Sequence, residues 1–107
     1  MTKADLLKLS RFYGVKGISF GGCVELKVKG FRGAMRRRAH AHCYKDDKWN
    51  GWICFLSKTP ENRAIRNGKT TRLFWHEVAH IYRPSWTQKQ CDKWAFTKAI
   101  KMNRAIE

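Results

Sequence analysis

The sequence predicts a single small α+β domain: one helix at the front, about three antiparallel strands, then two helices at the back. Three observations predict it. Residues 2–12 and 71–105 carry apolar side chains at helical spacing. "CVELKVK" at 23–29 alternates apolar and polar, as a half-buried strand does. Gly, Pro and Asn-Gly punctuate the stretch between them into short segments. A chain of 107 residues allows one domain over 1–107.

The elements follow in order. Thr2 and Asp5 resemble a capping box for a helix over 2–12, and Gly14 and Gly17 end it. After the strand at 23–29, Gly30 and Gly33 flank a turn, and residues 34–44 form a longer strand candidate. "KDDKWNG" is turn chemistry, with Asn50-Gly51 the strongest hairpin signal. The wider Lys45–Lys48 segment suggests a different pairing, so the register stays open. "WICFLS" (52–57) is apolar on both faces, which requires cover on both sides. Residues 58–70 read as a loop. Thr70 or Thr71 then caps a helix that Pro84 stops after Arg83. Ser85 with Gln88 reads as a capping box for a last helix over 86–105, whose inner side is Trp86, Cys91, Trp94, Ala95, Ala99 and Met102.

Composition limits the function classes. Hydrophobic residues at 43% and aromatics at 13% suffice for a packed core and argue against global disorder. No apolar run is long enough to span a bilayer, so no membrane association is expected. "MTKADLLKLSRFYG" lacks the apolar core and cleavage site of a signal peptide, so an intracellular, cytoplasmic protein is expected. Cys23, Cys43, Cys54 and Cys91 form no C-x-x-C and read as free thiols, several of them buried.

"LFWHEVAH" (73–80) contains H-E-x-x-H: His76, Glu77 and His80. Ordinary composition produces this pattern by chance in roughly a few per thousand chains of this length. On a helix the two histidines share a face, and both rings can reach one Zn²⁺ at about 2.0–2.1 Å. Glu77, next to the first ligand, can take a proton from water and return it to a leaving amine. Phe74, Val78 and Ile81, with Trp75, Ala79 and Tyr82, bury the helix on most sides, and buried histidines need partners. His40 and His42 share a strand face, but the sequence fixes nothing of that strand near the helix, so they read as a solvent-facing pair.

"WICFLS…TTRLFWHEVAHIY" resembles the core of zincin metallopeptidases, and "QCDKWA" (90–95) resembles the second-helix pattern of compact members. The minimal gluzincin, ImmA/IrrE-like and SprT-like families share the layout of helix, strands, helix, helix. The resemblance covers residues 52–96, and its specific part is the five residues of H-E-x-x-H. It implies a minimal zincin-like fold, a zinc cofactor and peptide-bond hydrolysis of a protein or peptide substrate. It also implies a third ligand on the last helix, where such families place a Glu, often one turn before an Asp that supports a first-helix His. Four residues before Asp92 stands Gln88. An amide is a poorer Zn²⁺ ligand than a carboxylate, and Gln88 is accounted for as the partner of Ser85. Asp92 is therefore the third-ligand candidate, with holding a ligand His as its other role. Cys91 is a weaker candidate. SprT-like proteins use a third His downstream, and none follows His80.

A net charge of +15 exceeds the roughly 2–8 that solubility asks of a small domain. It points to a polyanion, with DNA or RNA the expected partner and an acidic protein the other. Arg36, Arg37, Arg38, Arg66, Lys69 and Arg72 are the expected phosphate contacts, and Trp49 a base-stacking candidate. Two further readings stay open. One is a nucleic-acid-binding module with structural or no zinc. The other is a catalytically dead zincin scaffold acting as a small inhibitor, of phage or mobile-element type.

Overall fold

The computed structural model describes residues 1–21, 41–45, 48–55, 57–59 and 63–106. The strand expected at 23–29, the first part of the strand at 34–44, His40, and Arg36, Arg37 and Arg38 lie outside the described residues.

Helix α1 (Lys3–Ser10) starts on the expected capping box. Thr2 N–H donates to the Asp5 carboxylate at 2.7 Å, and Asp5 N–H donates back to Thr2 Oγ1 at 3.4 Å. The backbone bond from Thr2 holds the Asp5 carboxyl below its usual range. A 3₁₀ turn, Arg11–Tyr13, ends at Gly14 with φ +97°, a value that favours glycine.

Gly14 delivers the chain directly into strand β1 (Val15–Phe20), which the sequence reading passed over. With β2 (Ala41–Lys45) and β3 (Gly51–Phe55) it forms a sheet of order β1-β3-β2. β3 is the central strand, buried as its apolar faces require. It pairs antiparallel with β2 and parallel with β1, so the sheet is mixed rather than antiparallel. The cause lies at the strand starts. Gly51 N–H donates to Gly14 O at 3.1 Å, so β1 and β3 leave the same end side by side. That approach has no room for a side chain. A Cβ on Gly51 would stand 2.5 Å from Ile81 Cγ2 and 2.6 Å from Gly14 O. Gly51→Ala should therefore destabilise the domain by about 1–3 kcal/mol, read as a lower urea midpoint.

The turn chemistry is redistributed. Lys45 pairs with Gly51, so residues 46–50 connect β2 to β3, and Asn50-Gly51 is not a two-residue turn. The tight turn is Asn67-Gly68, with φ of +54° and +74°. It joins β4 (Ile65–Arg66) to β5 (Lys69–Thr70) within the segment expected as loop.

Helix α2 (Arg72–Tyr82) is capped by Thr71, whose Oγ1 accepts from Phe74 N–H at 3.2 Å. Helix α3 (Gln88–Ile106) begins two residues later than the sequence suggests. Its capping box is Thr87 and Gln90: Gln90 N–H donates to Thr87 Oγ1 at 3.2 Å, and Thr87 N–H to Gln90 Oε1 at 2.8 Å. Ser85 and Gln88 are not that pair, so the Gln88 side chain is released from cap duty.

α2 lies between the sheet and α3. Phe74, Trp75 and Val78 are fully buried among Ile53, Phe55 and Ala95. The Trp75 indole N–H donates to Thr70 Oγ1 at 2.9 Å. Asn103, near the end of α3, accepts from Thr70 N–H and Oγ1 at 3.1 and 2.8 Å and donates to Thr70 O at 3.2 Å. Those bonds fix the hairpin beneath α3, just ahead of the histidine helix. Asn103→Leu leaves the Thr70 amide without its acceptor and should cost about 1–3 kcal/mol of unfolding free energy. Among the described residues, no helix is long and apolar enough to cross a membrane.

Candidate metal centre

The two histidines of α2 present their Nε2 atoms to each other at 3.0 Å. Gln88, at the first position of α3, closes the group. Its Oε1 lies 2.6 Å from His76 Nε2 and 2.9 Å from His80 Nε2. Packing of α3 on α2, with the helix start moved to Gln88, brings that side chain over the histidine face.

Asp92 stands elsewhere. Its Oδ1 lies 3.1 Å from His76 Nδ1, on the opposite edge of the ring from the convergence. Arg72, four residues before His76, approaches the same Asp92 oxygen at 3.8 Å. Cys91 is on the far edge of the other ring, with Sγ 3.5 Å from His80 Nδ1. Asp92 and Cys91 thus hold the backs of the two rings, and Gln88 occupies the place between their fronts. Among the described residues, no three His, Cys, Asp or Glu side chains converge; the third group here is an amide.

Proton counting tests whether these residues fit a metal. A carboxylate only accepts, so against Asp92 the neutral His76 carries its proton on Nδ1. Its Nε2 is then a bare lone pair. The same holds for His80 when Nδ1–H faces the Cys91 sulfur. In those tautomers, with the Gln88 amide oxygen turned inward, two ring lone pairs and a carbonyl oxygen meet, a donor set that a cation can bridge. Donors around a tetrahedral zinc at about 2.0–2.1 Å stand roughly 3.3 Å apart. The triangle of 2.6, 2.9 and 3.0 Å needs to open by less than about 1 Å to reach that spacing. The residues fit Zn²⁺.

Glu77 follows His76 on α2 and is 8% exposed. Strand β2 packs against α2, so the sequence expectation that nothing holds this strand near the helix is corrected. Cys43 on β2 hydrogen-bonds the Glu77 carboxylate. Burial first, then the Glu77 charge and that bond, pushes the Cys43 thiol far up. Burial and the charges of Glu77 and Asp92 push the Cys91 thiol up as well. Both thiols therefore stay protonated and unreactive across the neutral range. Cys43, Cys54 and Cys91 are thiols outside any disulfide, as expected.

The raised Cys43 thiol has a signed consequence for stability. Its folded pKa lies above the unfolded value of about 8.5. Its contribution is complete below that pH and is lost as pH rises above it, because only the unfolded thiol ionises. Between pH 9 and 10.5 the stability of wild type should fall relative to Cys43→Ser by up to about 1.4 kcal/mol per pH unit. Urea unfolding of the two proteins across that range measures it.

Arg66 and Lys69 face each other across the β4–β5 ladder, and Arg72 opens α2 three residues after Lys69. These three expected phosphate contacts share one corner of the fold. The His42 side chain is not among those described. Trp49 is 78% exposed, with Lys45 Nζ 5.7 Å from its ring centre. No family model, no curated protein and no solved structure matches this chain.

Proposed function

We propose that this chain is a zinc-dependent peptidase domain that binds Zn²⁺ through His76, His80 and Gln88, with Glu77 as the general base. The observation that carries this reading is the convergence of His76 Nε2, His80 Nε2 and Gln88 Oε1 within 2.6–3.0 Å of one another, on the helix that also carries the buried Glu77. Zn²⁺ held by His76, His80 and Gln88 would supply Lewis acidity there. Asp92, which only accepts, sets the His76 tautomer, and Cys91 packs on the back of the His80 ring, as outer partners of ligand histidines do. Glu77 accepts the proton of the attacking water and returns it to the leaving amine.

The substrate is an extended peptide that adds to the outer edge of β2. The edges of β3 are excluded, because both its sides are paired. Among the described residues β2 pairs only with β3, and Cys43 places it against Glu77. The free thiols suit a reducing, cytoplasmic setting.

The amide at position 88 favours a second reading, the catalytically dead scaffold. With Gln88 turned, its NH₂ donates to both imidazoles and no metal is needed. Zinc titration of tag-free protein separates the two. We expect one equivalent bound by wild type and none by His76→Ala. Absence of zinc from both, with the wild-type fold intact, overturns the peptidase reading.

A further inference from the structure

The outer face of α3 carries a cleft that the zinc chemistry does not use. Trp86, Gln90, Lys93, Trp94 and Thr97 line a cavity of about 380 Å³. Positions 90, 93, 94 and 97 share one face of the helix. Gln88 and Asp92, which meet the histidines, lie on the opposite side of it. The walls are two indoles with centroids 6.3 Å apart and planes inclined by 57°. Trp94 is braced from behind by Tyr13, Trp75 and Tyr82, at 5.4, 6.1 and 5.9 Å. It is therefore a rigid platform.

Positive charge surrounds that platform. Lys93 lines the cleft. The Arg83 guanidinium lies 4.1 Å over the Tyr82 ring, and Lys98 Nζ is 6.0 Å from that of Trp94. Over 88–106 the chain has Lys89, Lys93, Lys98, Lys101 and Arg104 against Asp92 alone. The whole chain carries +15.

We infer that this cleft binds an unpaired base of a single-stranded nucleic acid. The base stacks on the indoles, its polar edge meets the Gln90 amide, and Lys93 takes an adjoining phosphate. An aromatic platform beside cations matches a ligand with both a flat π face and a polyanionic backbone. An acidic peptide offers the charge without the obligatory π face. A duplex keeps its bases in the stack, out of reach of the cleft.

The test is fluorescence anisotropy with a labelled twelve-nucleotide oligo(dT), a duplex of the same length and heparin. It is run on the protein as purified, with the fold of each variant checked by circular dichroism, and its readout involves no hydrolysis, so failure of the peptidase reading leaves it standing. Trp86→Leu keeps apolar volume and removes the ring. It should weaken oligo(dT) binding roughly 5- to 140-fold, with duplex and heparin binding changed less than two-fold. Lys93→Gln should weaken oligo(dT) binding and lower the salt slope by about 0.7. Lys16→Gln, a charge control on β1, should weaken it less than Lys93→Gln does. Thr97→Glu, at an exposed position on the cleft, covers the case in which Trp86→Leu fails to fold, and should also lose binding. Oligo(dT) affinity within two-fold of wild type in a folded Trp86→Leu or Thr97→Glu protein overturns the inference. So does an equal loss of heparin binding, or competition by poly-glutamate as effective as that by oligo(dT).

Discussion

Gln88→Glu is expected to tighten zinc binding by on the order of 100-fold or more, since loss of even an outer partner of a ligand costs about 10–100-fold. The reason is charge. His76, His80 and Gln88 are a neutral donor set, so the metal's two positive charges meet no anion at the convergence. A carboxylate at the Gln88 Oε1 position, now 2.6 and 2.9 Å from the two imidazole nitrogens, places one there. Competition with a chromogenic chelator measures the affinity. Unchanged affinity in Gln88→Glu would mean that position 88 does not reach the metal. Asp92→Asn tests the other assignment. As an outer partner it should cost roughly 10–100-fold in affinity, whereas loss of a direct ligand should abolish binding.

The histidine pair and its helix were legible because their signals are local. Four-residue spacing, a Thr cap at 71 and Pro84 beyond the end suffice for α2. The third position was harder. Gln88 fitted a capping box with Ser85, and Thr87 with Gln90 offered the same pattern two residues on. Only packing of α3 on α2 chose between them, and that choice moved Gln88 from cap to site. The two Asn-Gly pairs present a similar problem. Both are hairpin signals, but 50–51 is taken by close contact with Gly14 and Ile81, leaving 67–68 as the tight turn. β1 was missed because glycines at 14, 17 and 21 punctuate it. Gly17 is needed there, since a Cβ would stand 2.1 Å from the Trp52 ring. Cys43 carried no signal at all. Its bond to Glu77 spans the sheet–helix interface, and no spacing rule reaches across 34 residues.

Glu77→Gln is the second large effect, with an expected loss of about 10²–10⁴-fold in hydrolysis of fluorescein-labelled casein. Zinc affinity and melting temperature should stay close to wild type. Both halves follow from the surroundings of the side chain. Gln has the same shape and keeps an oxygen that accepts the Cys43 S–H, so the buried position retains a partner. His76, His80 and Gln88 converge without help from Glu77, so the donor triangle survives. What the amide lacks is a site that accepts a proton from water and later gives it up. A structural zinc would respond differently, because its contribution to folding depends on the ligands and not on Glu77. His76→Ala would then unfold the domain while Glu77→Gln changed nothing. A dead scaffold would give no hydrolysis in wild type, even with zinc bound. Full zinc binding with hydrolysis lost only in Glu77→Gln is the combination that neither alternative produces. It would assign the buried carboxylate on α2 its role as the base.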